Sequence, residues 1–514
     1  MPTNTLLEQH EILRPRDTKT VRVFRFDVAP NTDALSLELQ YEPVWPTEIE
    51  SMRPAIQEAL DAYFSGDVPD EVYAALSPNE KEDIFKSVAK EIRNSLHFSL
   101  FDSLGIFRGW WDRNHENTNP RAILSSEANE PGFIPGDIHP GQWRIELEIH
   151  SLVTNRCEFS LVVESVSKPG SSQTCRKSFG PDTRSSGPRW FRGDLHTHTH
   201  HSDGRRSFQE MVESARMAGL DYIGITDHNC TAALSEIQED LPVTVIPGLE
   251  FTTFQGHALA LNIDRHIPWT ENGMPRDPSG LAEEVREQEG LFAVAHPHTP
   301  GDPIYPGCLW TDERLQAKSL DLLEVWHGDY EREAIGTIKN LLLWEALLRE
   351  GYRVVAVGGG DGHDLFENEL KPGMPLTMIY AQSACREHLM DGLRRGNVCI
   401  TRGPLVDFRL EGVNLPVQMG DEVELLFGAT YTLRLVGKEM GRGAYVRIFR
   451  EAEIFVEMPL PSNRDTDLTL YCTADREETW YRVEIYRFAK PRDHLLVVTN
   501  PIYVRTKPHV VYTA

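Results

Sequence analysis

The sequence predicts an α/β protein in which seven consecutive βα units stand between two mostly-β regions. Three features carry that expectation. Short apolar runs alternate with helical patterns from residue 189 to about 404. Period-two alternation flanks that stretch on both sides. Residues 167–188, dense in Ser, Gly and Pro, have little to bury and read as a linker between the first two regions. A chain of 514 residues with 40% hydrophobic composition exceeds what one core usually organises, in keeping with two or three domains.

In chain order, residues 1–185 give VRVFRFDV (21–28), LSLELQY (35–41), QWRIELEIHSL (142–152) and CEFSLVVESV (157–166), which suit half-buried antiparallel strands and a β-sandwich. Helical periodicity from about 48 to 108 marks a helical insertion. Residues 189–404 supply the strands WFRGDLH, LDYIGITDH, VTVIPGLEF, HALALNI, LFAVAHPH, DLLEVWH and YRVVAVGGGDGH. Helices fit the gaps. In SFQEMVESARMAG, Ser207 is placed as an N-cap and Glu210, three residues on, completes a capping box. Only a turn fits between VTVIPGLEF and HALALNI, so direct pairing of those two strands is expected. From 405 to 514, VELLFGATYTLRLVG, YVRIFREAEIFVEM, TWYRVEIYRF and HLLVVTNPIYVRT return to alternation and predict a second β-sandwich.

Lys and Arg number 52 against 78 Asp and Glu, a formal net charge of −26. No basic run offsets it, so a nucleic-acid-binding surface is not expected. Residues 1–20 hold no apolar core of a leader, and no uninterrupted apolar stretch of about 18 residues occurs, so neither secretion nor membrane insertion is expected and the cytoplasm is the default location. The 7 cysteines form no CxxC pair and read as reduced thiols, not as a disulfide framework or a thiolate zinc site. The expected partner is a small-molecule substrate; homo-oligomerisation is left open.

The chemistry lies at the C-terminal ends of the predicted parallel strands, where such folds place active sites. Strand one ends in His196-Thr197-His198, strand two in Asp227-His228, strand three in Glu250, strand five in His296 and strand seven in Asp361-Gly362-His363. Alternate residues of a strand share a face, so His196 with His198, and Asp361 with His363, each form a pair able to grip a common ion cluster. Imidazole and carboxylate donors suit zinc, manganese or iron. So large a set exceeds the three or four protein ligands of one catalytic zinc, and two or three divalent ions are expected, with Glu250 placed to bridge neighbours. Ions so placed would convert a shared water to a bridging hydroxide and polarise the bond under attack.

These residues, in GDLHTHTHHSDG (193–204), GLDYIGITDHN (219–229), IPGLEFTT (246–253), GHALAL (256–261), AVAHPH (293–298), VGGGDGH (357–363) and TRGP (401–404), resemble the PHP (polymerase and histidinol phosphatase) superfamily, and within it the CehA/McbA-like metallohydrolases. The resemblance implies a distorted (β/α)7 barrel flanked by β-sandwiches. It also implies a first ion on His196, His198, Glu250 and Asp361, a second shared by Glu250 with His257 and His296, and a third on Asp203, His228 and His363. Some relatives have a histidine in place of Asp203, so His201 competes for that role. Ser stands in the commonest form of the last motif where this chain has Gly360 and Gly362, which implies lost hydrogen bonding behind the ligands.

His298 is a candidate general acid, with a loop histidine as the plainer reading. His201, Arg205 and Arg402 are candidates for substrate binding, the arginines as clamps for an anionic oxygen. His327 could line a pocket, while Trp326 reads as core. The GGG run at 358–360 lacks the Lys-Ser/Thr ending of a phosphate loop. Two reactions fit the site: hydrolysis of a small phosphate monoester or diester, and cleavage of a carbamate or carboxylic ester as in the CehA/McbA-like group. A non-catalytic module with working sandwiches is a third reading, opposed by the intact ligand set.

Overall fold

The computed structural model describes residues 3–66, 68–112, 121–126, 130–166, 187–238, 241–363, 374–414, 416–461 and 465–507. Of the predicted linker, only 187 and 188 fall within them.

The N-terminal strands build two four-stranded antiparallel sheets. Thr3–Leu13, Cys157–Val166, Ala34–Glu42 and Arg121–Ser125 form one; Thr20–Val28, Gly141–Ser151, Ser95–Phe101 and Phe107–Asp112 form the other. Both contribute to one apolar core that includes Leu37, Leu39, Phe98, Trp143, Ile145 and Leu161. The predicted helical stretch of 48–108 is helical only to Val88, as Arg53–Phe64, Glu71–Ala75 and Pro78–Val88. The rest of it returns to strand. Ser95–Phe101, SLHFSLF, alternates polar and apolar residues as a strand does, although every one of its residues is buried. The second face of this sheet carries polar side chains, yet they are not in water. Ser99 donates to Glu148 (2.9 Å), Asn229 from the α/β region approaches Glu148 (3.5 Å), and Thr270 donates to Glu146.

All seven predicted α/β strands are present: β1 (Arg189–Asp194), β2 (Tyr222–Ile225), β3 (Thr244–Thr252), β4 (His257–Leu261), β5 (Leu291–Ala295), β6 (Leu322–His327) and β7 (Val355–Gly359). Two further strands, β8 (Leu376–Ala381) and β9 (Val398–Thr401), join them in the order β7-β6-β5-β4-β3-β2-β1-β8-β9. β1, β2 and β3 are mutually parallel, as are β5, β6 and β7. β4 departs from the expected parallel array: it runs antiparallel to both neighbours, because the four-residue turn after Thr252 allows no crossover. Reversal puts the start of β4 at the rim where the other strands end, with His257 facing Thr252 and Ala295. An isolated bridge between Thr197 and Gly362 ties the loop after β7 to the loop after β1. Helix α1 (Phe208–Met217) starts on the predicted capping box of Ser207 and Glu210 and buries Phe208, Met211, Val212 and Ala215.

The C-terminal strands do not stand apart from this sheet. β9 pairs with His494–Thr499, which continues through Glu478–Arg487 to Ala444–Arg450. A second layer of four strands, including Leu405–Glu411 and Thr430–Lys438, packs Phe408, Leu410, Leu433 and Leu435 on Val446, Ile448, Val483 and Ile485 in a core shared with α1. Among the described residues, no helix is long and apolar enough to cross a membrane.

Candidate metal centre

The rim of β1–β7 gathers the predicted ligands. His196 Nε2 lies 3.3 Å from Glu250 Oε2 and 3.3 Å from Asp361 Oδ1; His198 Nε2 lies 3.3 Å and 2.8 Å from the same two oxygens. Four ligands of one tetrahedral zinc at about 2.0–2.1 Å would be separated by about 3.3 Å, so this quartet has the spacing of a single-ion cage. Glu250 turns its other oxygen outward, with Oε1 3.0 Å from His257 Nδ1 and 3.1 Å from His296 Nε2. The third group centres on Asp203 Oδ1, 3.1 Å from His363 Nε2, 3.6 Å from His228 Nε2 and 3.9 Å from His198 Nδ1. Asp203 stands in this third group, whereas His201 faces Gly132 and Glu236. The predicted sets all come together, with His198 standing between the first and third.

The donor atoms fit bound cations and not one another. His196 Nε2, both ring nitrogens of His198, Asp203 Oδ1, Glu250 Oε2 and Asp361 Oδ1 are buried without a hydrogen-bond partner. Leaving each such atom unmet costs about 1–3 kcal/mol, and native proteins leave few of them. Two ligands also sit in the left-handed backbone region, His296 at φ +28° and Asp361 at φ +48°, a strain that packing must maintain.

Electrostatics follow from the packing. Burial by itself would raise the Glu250 and Asp361 carboxyls, but the surrounding imidazoles, His196 foremost, hold both well below the usual range. Burial, the largest single influence, opposes charge on His228 and His363, but Asp203 together with Glu250 at the first and with Asp361 at the second outweighs it, pushing them up to about 9 and about 10. His257, where burial dominates, falls to about 4. In the metal-free chain at neutral pH, His228 and His363 thus hold protons that a cation must displace, and His257 does not. Metal uptake at the Asp203 group is expected to release protons and to strengthen as pH rises, levelling off above about 9 to 10. Calorimetric titration in buffers of different ionisation enthalpy reads the release; pH-independent uptake without it contradicts the assignment.

Behind the ligands stands Glu324, which the sequence reading did not single out. Its Oε1 is 3.0 Å from His196 Nδ1, and its Oε2 accepts the backbone N–H of His296 at 2.8 Å. His228 is braced through Nδ1 by Thr252 Oγ1 at 2.5 Å. Such partners fix ring orientation and raise ligand basicity. Glu324→Gln is expected to lower metal affinity about 10- to 100-fold, measured by equilibrium dialysis; retention equal to the parent would refute that role. The glycines of the 358–360 run have a packing reason. A Cβ on Gly359 would collide with Glu324 Oε1 and His196 Cβ, and one on Gly360 with Asp194 Oδ2, while the Gly360 N–H donates to Asp194 Oδ1 at 3.0 Å.

Three candidates lie elsewhere. His298 pairs with Asn340 (2.8 Å) and does not border the cavity above the cluster. His201 is held between the Gly132 N–H (3.0 Å) and Glu236. Arg402 pairs with Asp329 at 2.8 Å and is likewise absent from the cavity wall. Arg205 does border it, and His327 lies over the cluster with Nε2 3.0 Å from Asp361 Oδ2, while Trp326 is core. The cavity, about 690 Å³, is also bordered by His97, Trp110, Asp112 and His150 of the N-terminal sheet. A larger depression of about 870 Å³ borders Leu291, Leu322 and Val355, at the opposite ends of β5, β6 and β7, and holds none of the ligands.

With this geometry in place, comparison with known proteins is informative. The model of the PHP domain matches residues 194–290. About a fifth of the chain is thus similar to the PHP domain. The matched stretch holds His196, His198, Asp203, His228, Glu250 and His257, and the fold adds His296, Asp361 and His363 from beyond it. An uncharacterised protein of Methanocaldococcus jannaschii is 28% identical over 166 residues, 30% of this chain and 89% of its own. A phosphoribosyl 1,2-cyclic phosphate 1,2-diphosphodiesterase of Eggerthella lenta is 32% identical over 15% of this chain and 32% of its own length. The 5'-3' exoribonuclease Rnm of Salmonella typhimurium is 36% identical over 21% and 39%. The chain thus spans about a third of the first enzyme's length and about two fifths of the second's. Among solved structures, a two-domain protein containing a predicted PHP-like metal-dependent phosphoesterase from Bacteroides vulgatus aligns over 64% of this chain and all of its own, at 15% identity and a TM-score of 0.36. The matched domain and the clustered His, Asp and Glu side chains are in keeping with divalent ions at this rim.

Proposed function

We propose that this protein hydrolyses a phosphate monoester or diester of a small molecule, using two or three divalent ions held in a PHP-type barrel. The observation that carries the reading is the convergence of His196, His198, Asp203, His228, Glu250, His257, His296, Asp361 and His363 at one rim, with buried donor atoms that meet no hydrogen-bond partner. Bound ions would lower the pKa of water and neutralise phosphoryl oxygens. The chain's own residues do the rest. Glu250 joins two groups of ligands, Glu324 and Thr252 orient imidazoles, and Arg205 stands at the cavity to take an anionic oxygen. His327 takes the place beside Asp361 that a proton donor needs and that His298 does not fill. Strands of the N-terminal sheet border the same cavity, whose volume of about 690 Å³ suits a compact substrate better than a long polymer.

The test is turnover of nitrophenyl phosphate, bis-nitrophenyl phosphate and an aryl carbamate by the metal-loaded chain, beside a His196→Ala, Asp361→Ala double variant. Phosphoester turnover that the variant loses is the expected result. Turnover of the carbamate alone would replace the proposal with the carbamate or ester hydrolase reading.

A further inference from the structure

The subsite of His257 and His296 contains a donor of a different kind. Cys308, in the segment between β5 and β6, is a free thiol whose Sγ lies 3.9 Å from His257 Nε2. Donor atoms of His257, His296 and Cys308 all lie within 4.8 Å of one another, and the three border the same cavity. The sulfur is held in place by its loop. The Cys308 N–H donates to Tyr305 O (3.1 Å), Trp310 N–H to Pro297 O (3.0 Å) and Thr311 N–H to Gln255 O (2.6 Å), pinning the segment to the turns after β5 and β3. The imidazole is oriented as well: Glu250 Oε1 engages Nδ1 at 3.0 Å, so Nε2 is the nitrogen turned to the sulfur. A histidine whose second nitrogen meets a carboxylate is the usual arrangement of a metal ligand. Two ligands of one zinc, with Zn–S about 2.3 Å and Zn–N about 2.0–2.1 Å, stand about 3.6 Å apart at the tetrahedral angle, within a few tenths of an ångström of the spacing here. His296, 3% exposed, also buries an Nδ1 that meets no hydrogen-bond partner.

We propose that Cys308 is a thiolate ligand of the ion held by His257 and His296, making this subsite a nitrogen-sulfur site beside two that offer only nitrogen and oxygen. The inference rests on the metal-centre reading above and changes it at one point: the ion stands on the Nε2 side of His257, and Glu250 Oε1, on Nδ1, orients that ring without being a ligand of this ion. On binding, the S–H bond gives up its proton to solvent and the sulfur lone pair forms the metal bond. A soft thiolate selects zinc, iron(II) or cobalt(II) and disfavours manganese and magnesium. The centre would then be selective at one position and permissive at the others.

The experiment is a cobalt(II) titration of the full metal-free chain and of Cys308→Ser, following bound cobalt by elemental analysis, ligand-field bands in the visible, and sulfur-to-cobalt charge transfer in the near ultraviolet. Expected is a charge-transfer band that saturates with one equivalent and is absent from Cys308→Ser, which still takes up cobalt elsewhere. Thiol counting on the parent chain gives a check independent of how the variant folds: zinc should protect one thiol from modification. Cobalt bound with ligand-field bands and no charge transfer, or a band that survives in Cys308→Ser, overturns the proposal while leaving the metal centre intact. No cobalt uptake by the parent overturns both.

Discussion

Glu250→Gln is expected to abolish measurable phosphoester turnover and to lower the bound-metal count by at least one ion. Glu250 is fully buried, and its two oxygens face different ligand groups: His196 and His198 on one side, His257 and His296 on the other. An amide keeps the shape but loses the negative charge that both groups share. A metal ion supplies several kcal/mol of transition-state stabilisation, and each 1.4 kcal/mol is tenfold in rate, so a loss of about 1,000-fold or more is expected. Steady-state turnover combined with elemental analysis measures both effects. A variant that keeps its full metal complement and turns over within tenfold of the parent would show that Glu250 does not join the groups.

The second large effect is on stability. The buried, unpartnered donors of His196, His198, Asp203, Glu250 and Asp361 make the metal-free rim costly to keep folded. A cation that binds only the folded chain at 1,000 times its dissociation constant adds about 4 kcal/mol. For a cooperative unit of the size of this α/β region, that corresponds to a rise of about 10 °C in the thermal midpoint. Calorimetry with and without zinc after removal of metal by a chelator reads the shift. Coincident transitions would contradict the expectation. The metal-free rim should also become harder to fill as pH falls, because His228 and His363 hold their protons below about 9 and 10.

The legible parts of the molecule were those written locally. Seven strands came from runs of apolar residues, and the ligand pairs came from residues placed at or just beyond strand ends, where one backbone direction positions several side chains. The rule that alternate residues share a side holds only while the chain stays extended. At His296 the backbone turns, with φ +28° and the Thr299 N–H returning to His296 O at 2.9 Å, so His298 leaves the rim for Asn340. His201 is misplaced for the same reason: the Ser202 N–H closes a turn on Thr199 O at 3.1 Å. Arg402 is diverted by Asp329, a partner far away in sequence.

Other features needed the third dimension. Glu324 left one hint, a carboxylate inside the apolar run LLEVW, which a buried strand tolerates only with partners. His97 and Trp110 lie on neighbouring strands of the N-terminal sheet, and their place on the cavity wall depends on how that sheet meets the α/β rim. Cys308 sits 51 residues from His257, outside any short cysteine motif, so its sequence gave no reason to separate it from the other thiols. The glycines of the 358–360 run are a further case. The sequence excluded a phosphate loop there without saying why glycine is needed; the backbone of Gly359 and Gly360 is close to Glu324, His196 and Asp194 and has no space for a side chain.

The most direct test of the metal centre is anomalous diffraction from crystals of the zinc-loaded chain, recorded on both sides of the zinc absorption edge. Separate peaks are expected among His196, His198, Glu250 and Asp361, beside His257 and His296, and among Asp203, His228 and His363. At least two of them should be filled. A single peak, or peaks only at surface residues away from this rim, would contradict a multinuclear centre and return the site to an unusual cluster of buried polar side chains.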